Sequence, residues 1–139
     1  AQTKQVILPE GWFEQFREVI KESLIEFPET IALVKSLQDR DYKTPMLSDV
    51  TQYQMEVVRS MGYYKLFDPV LLSCETGYKK PDPESFNNLL RTLQLPPSKV
   101  LFIDDRIENV ESARKLGIDS IQFIDPNQLD EELLKRGLL

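Results

Sequence analysis

Residues 99–105 read Lys99-Val100-Leu101-Phe102-Ile103-Asp104-Asp105, an apolar run that ends in two adjacent acids. Such a run is typical of a central strand in a parallel sheet, because that strand is covered on both faces. From about residue 44 onward, short apolar runs alternate with helical patterns, as they do in chains built from β-α units. The sequence therefore predicts an α/β fold, a Rossmann-like three-layer sandwich with a mainly parallel sheet.

Four β-α units can be counted around this stretch. Each pairs a short apolar run with an amphipathic helical pattern that glycine or proline delimits. The predicted strands are 44–48, 67–72, 99–104 and 120–124, and the predicted helices are 50–61, 83–93, 106–116 and 128–136.

The first forty residues follow a different pattern. Apolar residues recur at helical spacing from Trp12 to Leu24, and a second helix is predicted over 28–37. We interpret residues 1–27 as a short helical cap remnant and residues 28–139 as the α/β core. Trp12, Phe13 and Phe16 could line a substrate-selecting face, but aromatic residues at this spacing more often pack in a core. In a truncated chain the same residues could form an exposed apolar patch that drives self-association.

Composition excludes several kinds of site. Seventeen Lys and Arg against twenty-three Asp and Glu give a net charge of −6, which repels nucleic acids and anionic membranes. The chain has no histidine, and its one cysteine, Cys74, allows neither an internal disulfide nor a Cys-rich zinc site. Because no apolar run reaches the roughly 18 residues of a membrane span, we predict a cytoplasmic protein without nucleic-acid or membrane partners.

Polar residues follow three of the predicted strands. Ser48 and Asp49 end the first strand, Lys80 lies in the loop after the second, and Asp104 and Asp105 end the third. Ligands of open α/β sheets bind at the carboxyl ends of the strands, so these side chains are expected to meet there. A hydroxyl, an ammonium and paired carboxylates are what a magnesium-dependent phosphoryl site requires.

Each of these residues also has an ordinary structural interpretation. A serine at a strand end often caps a helix, and Lys80 beside Lys79 is typical of a solvated loop. Asp104 and Asp105 repel each other and gain most when a cation lies between them. The joint occurrence of Ser48, Lys80 and the acidic pair, in this order along the chain, favours a functional site.

From about residue 28 to its C-terminus, the sequence resembles the haloacid dehalogenase-like (HAD) superfamily of aspartate-nucleophile phosphohydrolases. Three segments carry the resemblance. Residues 46–49 (MLSD) are similar to the family's second motif, residues 77–83 (GYKKPDP) to its third, and residues 100–105 (VLFIDD), with Asn109 and residues 113–118, to its fourth.

The resemblance implies a role for each site residue. Ser48 and Lys80 would be catalytic, with Ser48 binding the transferring phosphoryl group and Lys80 anchoring that group and the nucleophile. Asp105 would be a direct Mg²⁺ ligand, and Asp104 and Asn109 would support the metal from beside it. Asp49 stands at the phosphate position, where the family commonly has an amide, and adds a negative charge there.

The family's first motif, Asp-x-Asp after the central strand, supplies the nucleophile and the general acid/base. The only Asp-x-Asp in this sequence is Asp39-Arg40-Asp41, which precedes the strand at 44 instead of following one. We therefore predict an ordinary solvated turn there. Family topology places the missing strand between the Ser48 strand and the Asp104 strand.

Three explanations of this absence stay open. The chain could be the carboxyl-terminal part of a longer hydrolase, with residues 10–26 remaining from a helical cap. Residues 4–8, which Pro9 ends, could fill the gap and place Glu10 near the nucleophile position. The two flanking strands could instead pair directly, or a complementing chain or second copy could supply the strand through the exposed sheet edge.

The function implied is that of a HAD-type phosphatase component. It would hydrolyse a small phosphorylated metabolite with Mg²⁺ through an aspartyl-phosphate, and it is incomplete as written. The alternative is a non-catalytic module on the same fold that binds Mg²⁺ and phosphate, or a partner chain. A signalling receiver domain is excluded by residue order, because Ser48 and Lys80 precede the acidic pair.

Overall fold

The computed structural model describes residues 28–139. Its elements alternate as the sequence predicts, with two 3₁₀ turns at Tyr63–Leu66 and Pro97–Lys99. The helices are α1 (Pro28–Asp39), α2 (Gln52–Ser60), α3 (Ser73–Thr76), α4 (Pro83–Leu93), α5 (Ile107–Lys115) and α6 (Pro126–Lys135), and the strands are β1 (Met46–Ser48), β2 (Val70–Leu72), β3 (Leu101–Asp104) and β4 (Asp119–Gln122). The predicted strand at 4–8, the helical pattern from Trp12 to Leu24 and the cap remnant at 1–27 lie outside the described residues.

All strand pairing among the described residues is parallel, which confirms the predicted α/β class. β1 pairs with β2 and β3 pairs with β4, so the strands form two pairs. β1 and β3 do not pair with each other within residues 28–139, so the direct pairing of the two flanking strands is not observed. The registers run from Met46 opposite Val70 to Ser48 opposite Leu72, and from Leu101 opposite Asp119 to Asp104 opposite Gln122.

Helices cover both faces of the sheet, because successive side chains of a strand point to opposite faces. On one face, Phe102 of β3 is buried with Phe86 of α4, Ala113 of α5 and Ile118, which directly precedes β4. On the other face, Leu101 and Ile103 pack against a cluster of β4 and α6, to which α1 adds Leu33 and Leu37; its buried members are Ile121, Leu129 and Leu133. The result is the predicted order of helices, sheet and helices.

The helix starts follow from local capping. Thr51 caps α2 in a capping box with Gln54, whose side chain accepts from the Thr51 amide. Asp82 caps α4 and Asp125 caps α6, each with a proline in the first turn. The observed bounds of α4 match the predicted ones because Asp82-Pro83 is both cap and first turn.

Several strands are shorter than predicted. β2 begins at Val70 instead of residue 67, because Pro69 has no N–H to donate and the preceding residues form the 3₁₀ turn at Tyr63–Leu66. β1 likewise begins at Met46, directly after Pro45. β4 covers Asp119–Gln122 instead of 120–124.

Two further sequence predictions have different outcomes. The helical spacing of Val50, Tyr53, Val57 and Met61 predicts one apolar stripe for α2. Val57 is buried as this predicts, but Tyr53 is 55% exposed, and the other buried residue of the helix is Met55. The prediction for Asp39-Arg40-Asp41 is confirmed, since all three residues are exposed. Asp39 ends α1, and Arg40 and Asp41 form the turn that follows, with a φ of 66° at Asp41. Within residues 28–139, no helix is both long enough and apolar enough to cross a bilayer.

Candidate functional site

Lys80 connects the two strand pairs at the carboxyl ends of their strands. Its ammonium Nζ donates to the Leu47 carbonyl oxygen of β1 at 2.9 Å and to Asp104 Oδ2 of β3 at 2.8 Å. The Lys80 and Asp104 side chains are only 10% and 7% exposed. The structure therefore brings together Lys80 and one of the two predicted acids, at the edge where the sequence placed them.

Asp104 is held by three donors. Besides the Lys80 bond, its Oδ2 accepts from Asn109 Nδ2 at 3.2 Å, and its Oδ1 accepts from the Arg106 amide at 2.8 Å. Burial opposes the charge, but the hydrogen bonds from Lys80 and the Arg106 amide outweigh it and hold the pKa of Asp104 below its ordinary value. Asp104 is therefore an ionised anchor for the Lys80 side chain.

The main chain of Lys80 is anchored as well. The Lys80 amide donates to Asp49 Oδ1 at 3.1 Å, which ties the lysine loop to the residue that follows β1. On the other side, Ser112 of α5 donates its hydroxyl to the Pro81 carbonyl oxygen at 2.6 Å. The loop is thus held between β1 and α5, and its position sets where the ammonium lies.

The loops after β1 and β2 are joined by Ser73. Its hydroxyl oxygen accepts from the Val50 amide at 2.9 Å, and the hydroxyl donates to the Val50 carbonyl oxygen at 3.2 Å. Ser48, the last residue of β1, is half-buried, and its own hydroxyl makes no hydrogen bond with a described residue. That hydroxyl is free to donate to a ligand at this edge.

Asp105 differs from its neighbour Asp104. It is exposed, and its carboxylate makes no hydrogen bond or ion pair with any of residues 28–139. Only its main-chain oxygen is engaged, accepting from Gln122 Nε2 at 3.3 Å. The described chain has no cluster of three or more His, Cys, Asp or Glu side chains arranged as metal ligands. An unengaged carboxylate beside a second one fits Mg²⁺, which usually keeps several waters and takes only one or two carboxylates from the protein.

Two contacts of Lys80 were not predicted from the sequence. The Leu47 carbonyl carries no signal at all, because every residue has a main-chain acceptor. Phe102, interpreted only as a core residue, places its ring centroid 5.7 Å from Lys80 Nζ, within the range of a cation–π contact. The core thus helps to hold the ammonium.

Comparison with known proteins gives consistent matches. The family model described as haloacid dehalogenase-like hydrolase matches residues 2–117. The sesquiterpene phosphatase astK of Aspergillus oryzae is 26% identical over 95 residues, which cover 68% of this chain and 48% of that protein. The phosphorylated carbohydrates phosphatase of Thermotoga maritima is 28% identical over 109 residues, covering 78% and 50%. The chain spans about half the length of these curated relatives.

A solved structure resembles the chain in the same way. A HAD family enzyme from Bacteroides thetaiotaomicron, in complex with magnesium and inorganic phosphate, superimposes with a TM-score of 0.61 at 26% identity. The match covers 69% of this chain and 52% of that one. The likeness extends over most of the described residues.

Proposed function

This chain belongs to the haloacid dehalogenase-like hydrolase family, and we propose that it is a Mg²⁺-dependent phosphatase component that acts on a small phosphomonoester. The described residues would bind the metal and the phosphoryl group, and a carboxylate from outside them would attack phosphorus. The observation that carries this proposal is the fixed ammonium of Lys80 between β1 and β3. Ser48 and Asp105, whose side chains have no partner among residues 28–139, directly follow its two acceptors, Leu47 and Asp104.

Lys80 retains capacity for a ligand. An ammonium group has three N–H donors, and the Leu47 carbonyl and Asp104 take two of them. The third is available to a phosphoryl oxygen or to the attacking carboxylate. Because both other donors are fixed, the charge is already oriented before a ligand arrives, which is the condition for effective electrostatic stabilisation.

Ser48 and Asp49 would act at the same edge in different ways. The Ser48 hydroxyl would donate to a phosphoryl oxygen. One oxygen of Asp49 is taken by the Lys80 amide, so this residue would serve the phosphate position mainly by placing the lysine loop.

Asp105 would be the direct Mg²⁺ ligand, with Asp104 and Asn109 supporting it. The hydrogen bonds support this division, since Asp104 already accepts three and the Asp105 carboxylate accepts none from a described residue. A bound Mg²⁺ would neutralise charge on the phosphoryl oxygens as a Lewis acid.

The relatives support the reaction class more than the substrate. One is named a sesquiterpene phosphatase and another a phosphorylated carbohydrates phosphatase. Their alcohols differ widely in polarity, and what they share is the phosphomonoester. The proposal for this chain therefore covers the phosphoryl group and leaves the alcohol open.

The carboxylates that the described residues place at this edge, Asp49, Asp104 and Asp105, are those proposed above to hold the lysine loop and the metal. Asp39-Arg40-Asp41 lies in the exposed turn before β1, at the amino end of that strand, away from Lys80. Hydrolysis through an aspartyl-phosphate needs a further carboxylate to attack phosphorus, and the Asp-x-Asp of the described residues is not placed to supply it. This absence also favours the second candidate function, a module on this fold that binds Mg²⁺ and phosphate without turnover.

Calorimetric titration with Mg²⁺ and phosphate, together with hydrolysis of an aryl phosphate, tests the proposal. The variants are Asp105→Asn and a matched control, Glu111→Gln, which removes the same charge from an exposed position on α5. We expect Mg²⁺-dependent phosphate binding in the wild type and in Glu111→Gln, and its loss in Asp105→Asn. Turnover by the wild type that is lost in Asp105→Asn would identify an enzyme whose nucleophile is present. Binding of Mg²⁺ and phosphate by the wild type without turnover would identify the non-catalytic module. Wild-type protein that binds neither Mg²⁺ nor phosphate would refute both.

A further inference from the structure

The carboxyl end of β4 holds the main chain at Asp105. Gln122 is the last residue of β4 and stands opposite Asp104 in the parallel register. Its side-chain Nε2 donates to the Asp105 main-chain oxygen at 3.3 Å. The next residue of the chain, Phe123, donates its amide to the Asp104 main-chain oxygen at 2.8 Å. Two neighbouring β-α units are therefore joined at the candidate metal ligand.

Gln122 is itself held by Gln128, in the first turn of α6. Gln128 Nε2 donates to the Gln122 main-chain oxygen at 3.0 Å, and Gln128 Oε1 accepts from the Ile124 amide at 3.2 Å. The donor end of this carboxamide thus meets an acceptor and its acceptor end meets a donor, so its orientation is fixed. The result is a chain of hydrogen bonds that runs from Gln128 through Gln122 to the Asp105 main chain.

Helix capping alone does not explain the side chain of Gln128. In the capping box of α2, the Gln54 side chain accepts from the amide of the cap residue itself, Thr51. In α6 the cap residue is Asp125, but Gln128 reaches the amide of Ile124, one residue before the cap, and also donates to Gln122. Capping requires only an acceptor, which a glutamate would supply as well. The donated hydrogen bond has a different effect, which is to fix the end of β4.

We propose that Gln122, supported by Gln128, is a positioning residue for Asp105 as a Mg²⁺ ligand. This inference rests on the proposed function, in which Asp105 binds the metal. The Asp105 carboxylate accepts no hydrogen bond from a described residue, so the main chain below it sets where the carboxylate can reach. A fixed main chain reduces the conformational freedom that the ligand loses on binding, which raises the affinity for the metal.

The charge of Gln122 suits this position. A lysine or arginine there could donate to the Asp105 carbonyl, but its positive charge would repel a cation bound nearby. A glutamate would have no donor and would face the carbonyl oxygen with a negative charge. Glutamine supplies a donor of sufficient length and leaves the charge around Asp105 unchanged.

Calorimetric titration with Mg²⁺ alone, and with inorganic phosphate in the absence of Mg²⁺, tests the proposal. Gln122→Met keeps the length and the neutrality of the side chain and removes the donor. We expect its Kd for Mg²⁺ to rise about five-fold or more, while its Kd for phosphate and its Tm stay close to those of the wild type. Gln52→Met, the matched control at an exposed position of α2, should change none of the three quantities.

A second variant tests the order of the hydrogen-bond chain. Gln128→Met removes the support of Gln122 and should also weaken Mg²⁺ binding, by a smaller factor. The double variant Gln122→Met/Gln128→Met should bind Mg²⁺ about as well as Gln122→Met, because both residues act through the same contact with Asp105. Losses of affinity that multiply in the double variant would contradict the chain.

Three further results would overturn the proposal. An unchanged Kd for Mg²⁺ in Gln122→Met, with binding lost in Asp105→Asn, would refute the positioning role and leave the proposed function intact. Losses of Mg²⁺ affinity, phosphate affinity and Tm together in Gln122→Met would show a general structural role. A wild type that binds no Mg²⁺ would refute the proposed metal site and this inference with it.

Discussion

Lys80 and Asp104 form the least exposed ion pair among residues 28–139, with Nζ 2.8 Å from Oδ2 and side-chain exposures of 10% and 7%. The pair joins a loop to β3, while the second hydrogen bond of the same ammonium reaches the Leu47 carbonyl of β1. One residue therefore fixes the distance between the two strand pairs and orients the charge of the candidate site. If the site binds a ligand as proposed, Lys80 contributes both to stability and to binding.

Replacing Lys80 should unfold the protein more easily. Lys80→Met leaves the Asp104 carboxylate buried without its cation, which typically costs about 3 kcal/mol or more. The double variant Lys80→Met/Asp104→Asn should recover part of this loss, because it removes the orphaned charge. Urea unfolding at neutral pH measures the free energy of unfolding of the wild type, the single variant and the double variant. Lys79→Met is the control, since Lys79 is exposed and should lie within about 0.5 kcal/mol of the wild type. An equal loss of unfolding free energy in Lys80→Met and Lys79→Met would contradict the stabilising role of the Lys80–Asp104 ion pair.

Substitution of Asp104 and of its neighbour Asp105 should have different effects on stability. Asp104→Asn weakens three hydrogen bonds to a charged acceptor and should cost about 1–3 kcal/mol. Asp105→Asn removes a carboxylate without a partner among residues 28–139 and relieves its repulsion with Asp104, so the metal-free protein should be as stable as the wild type or slightly more so. Thermal unfolding of the two variants and the wild type, with and without Mg²⁺, is the measurement. We expect Mg²⁺ to raise the Tm of the wild type and to leave that of Asp105→Asn unchanged. A Mg²⁺ effect that survives in this variant would place the metal elsewhere.

Asp49 should act on the lysine loop through its acceptor oxygen. Asp49→Ala leaves the Lys80 amide without its partner at 3.1 Å and should cost about 1–2 kcal/mol. Asp49→Asn retains an acceptor oxygen and should keep most of the stability. Exchange of the Lys80 amide is the direct measurement, and we expect it to be faster in the alanine variant than in the asparagine variant. If both variants exchange like the wild type, the hydrogen bond does not hold the loop.

The sequence predicted those parts of the fold that depend on local chemistry. The bounds of α4 follow from Asp82-Pro83 at its start, and the convergence of Lys80 with Asp104 follows from the rule that parallel strands deliver their last residues to one edge. The exposure of Tyr53 was predicted wrongly, because periodicity identifies an apolar stripe but not which of its members the tertiary packing covers.

Other features of the site had no signal in the sequence. The Leu47 carbonyl is a main-chain atom, and the Ser73 hydroxyl that joins two loops belongs to a residue type common in such places. The start of β2 depended on Pro69 and on a 3₁₀ turn, which hydrophobic patterning does not distinguish from a strand. Contacts between distant loops and exact strand ends therefore required the structure.

Arg136 should stabilise the C-terminal end of the fold in a pH-dependent way. It donates from Nε to Asp119 Oδ2 at 2.8 Å, at the start of β4, and from an Nη1 hydrogen to Glu132 Oε2 at 2.7 Å, within α6. The hydrogen bond from Arg136 is the main reason why the pKa of Asp119 lies below its ordinary 3.8. Since the pKa is lower in the folded state than in the unfolded state, the stabilisation is present in full above that ordinary value and is lost as pH falls through the folded pKa.

The measurement is urea unfolding of Arg136→Met and the wild type at neutral pH and again below about pH 3. At neutral pH the variant should be less stable by about 0.5–1 kcal/mol, because Asp119 is largely exposed and water screens the pair. In acid the difference should shrink, since the wild type has lost the carboxylate partners too. Lys115→Met, at an exposed position on α5, controls for the loss of one positive charge and should show no such dependence. A difference of the same size at both pH values would mean that Arg136 acts through packing of its aliphatic stem instead of its charge.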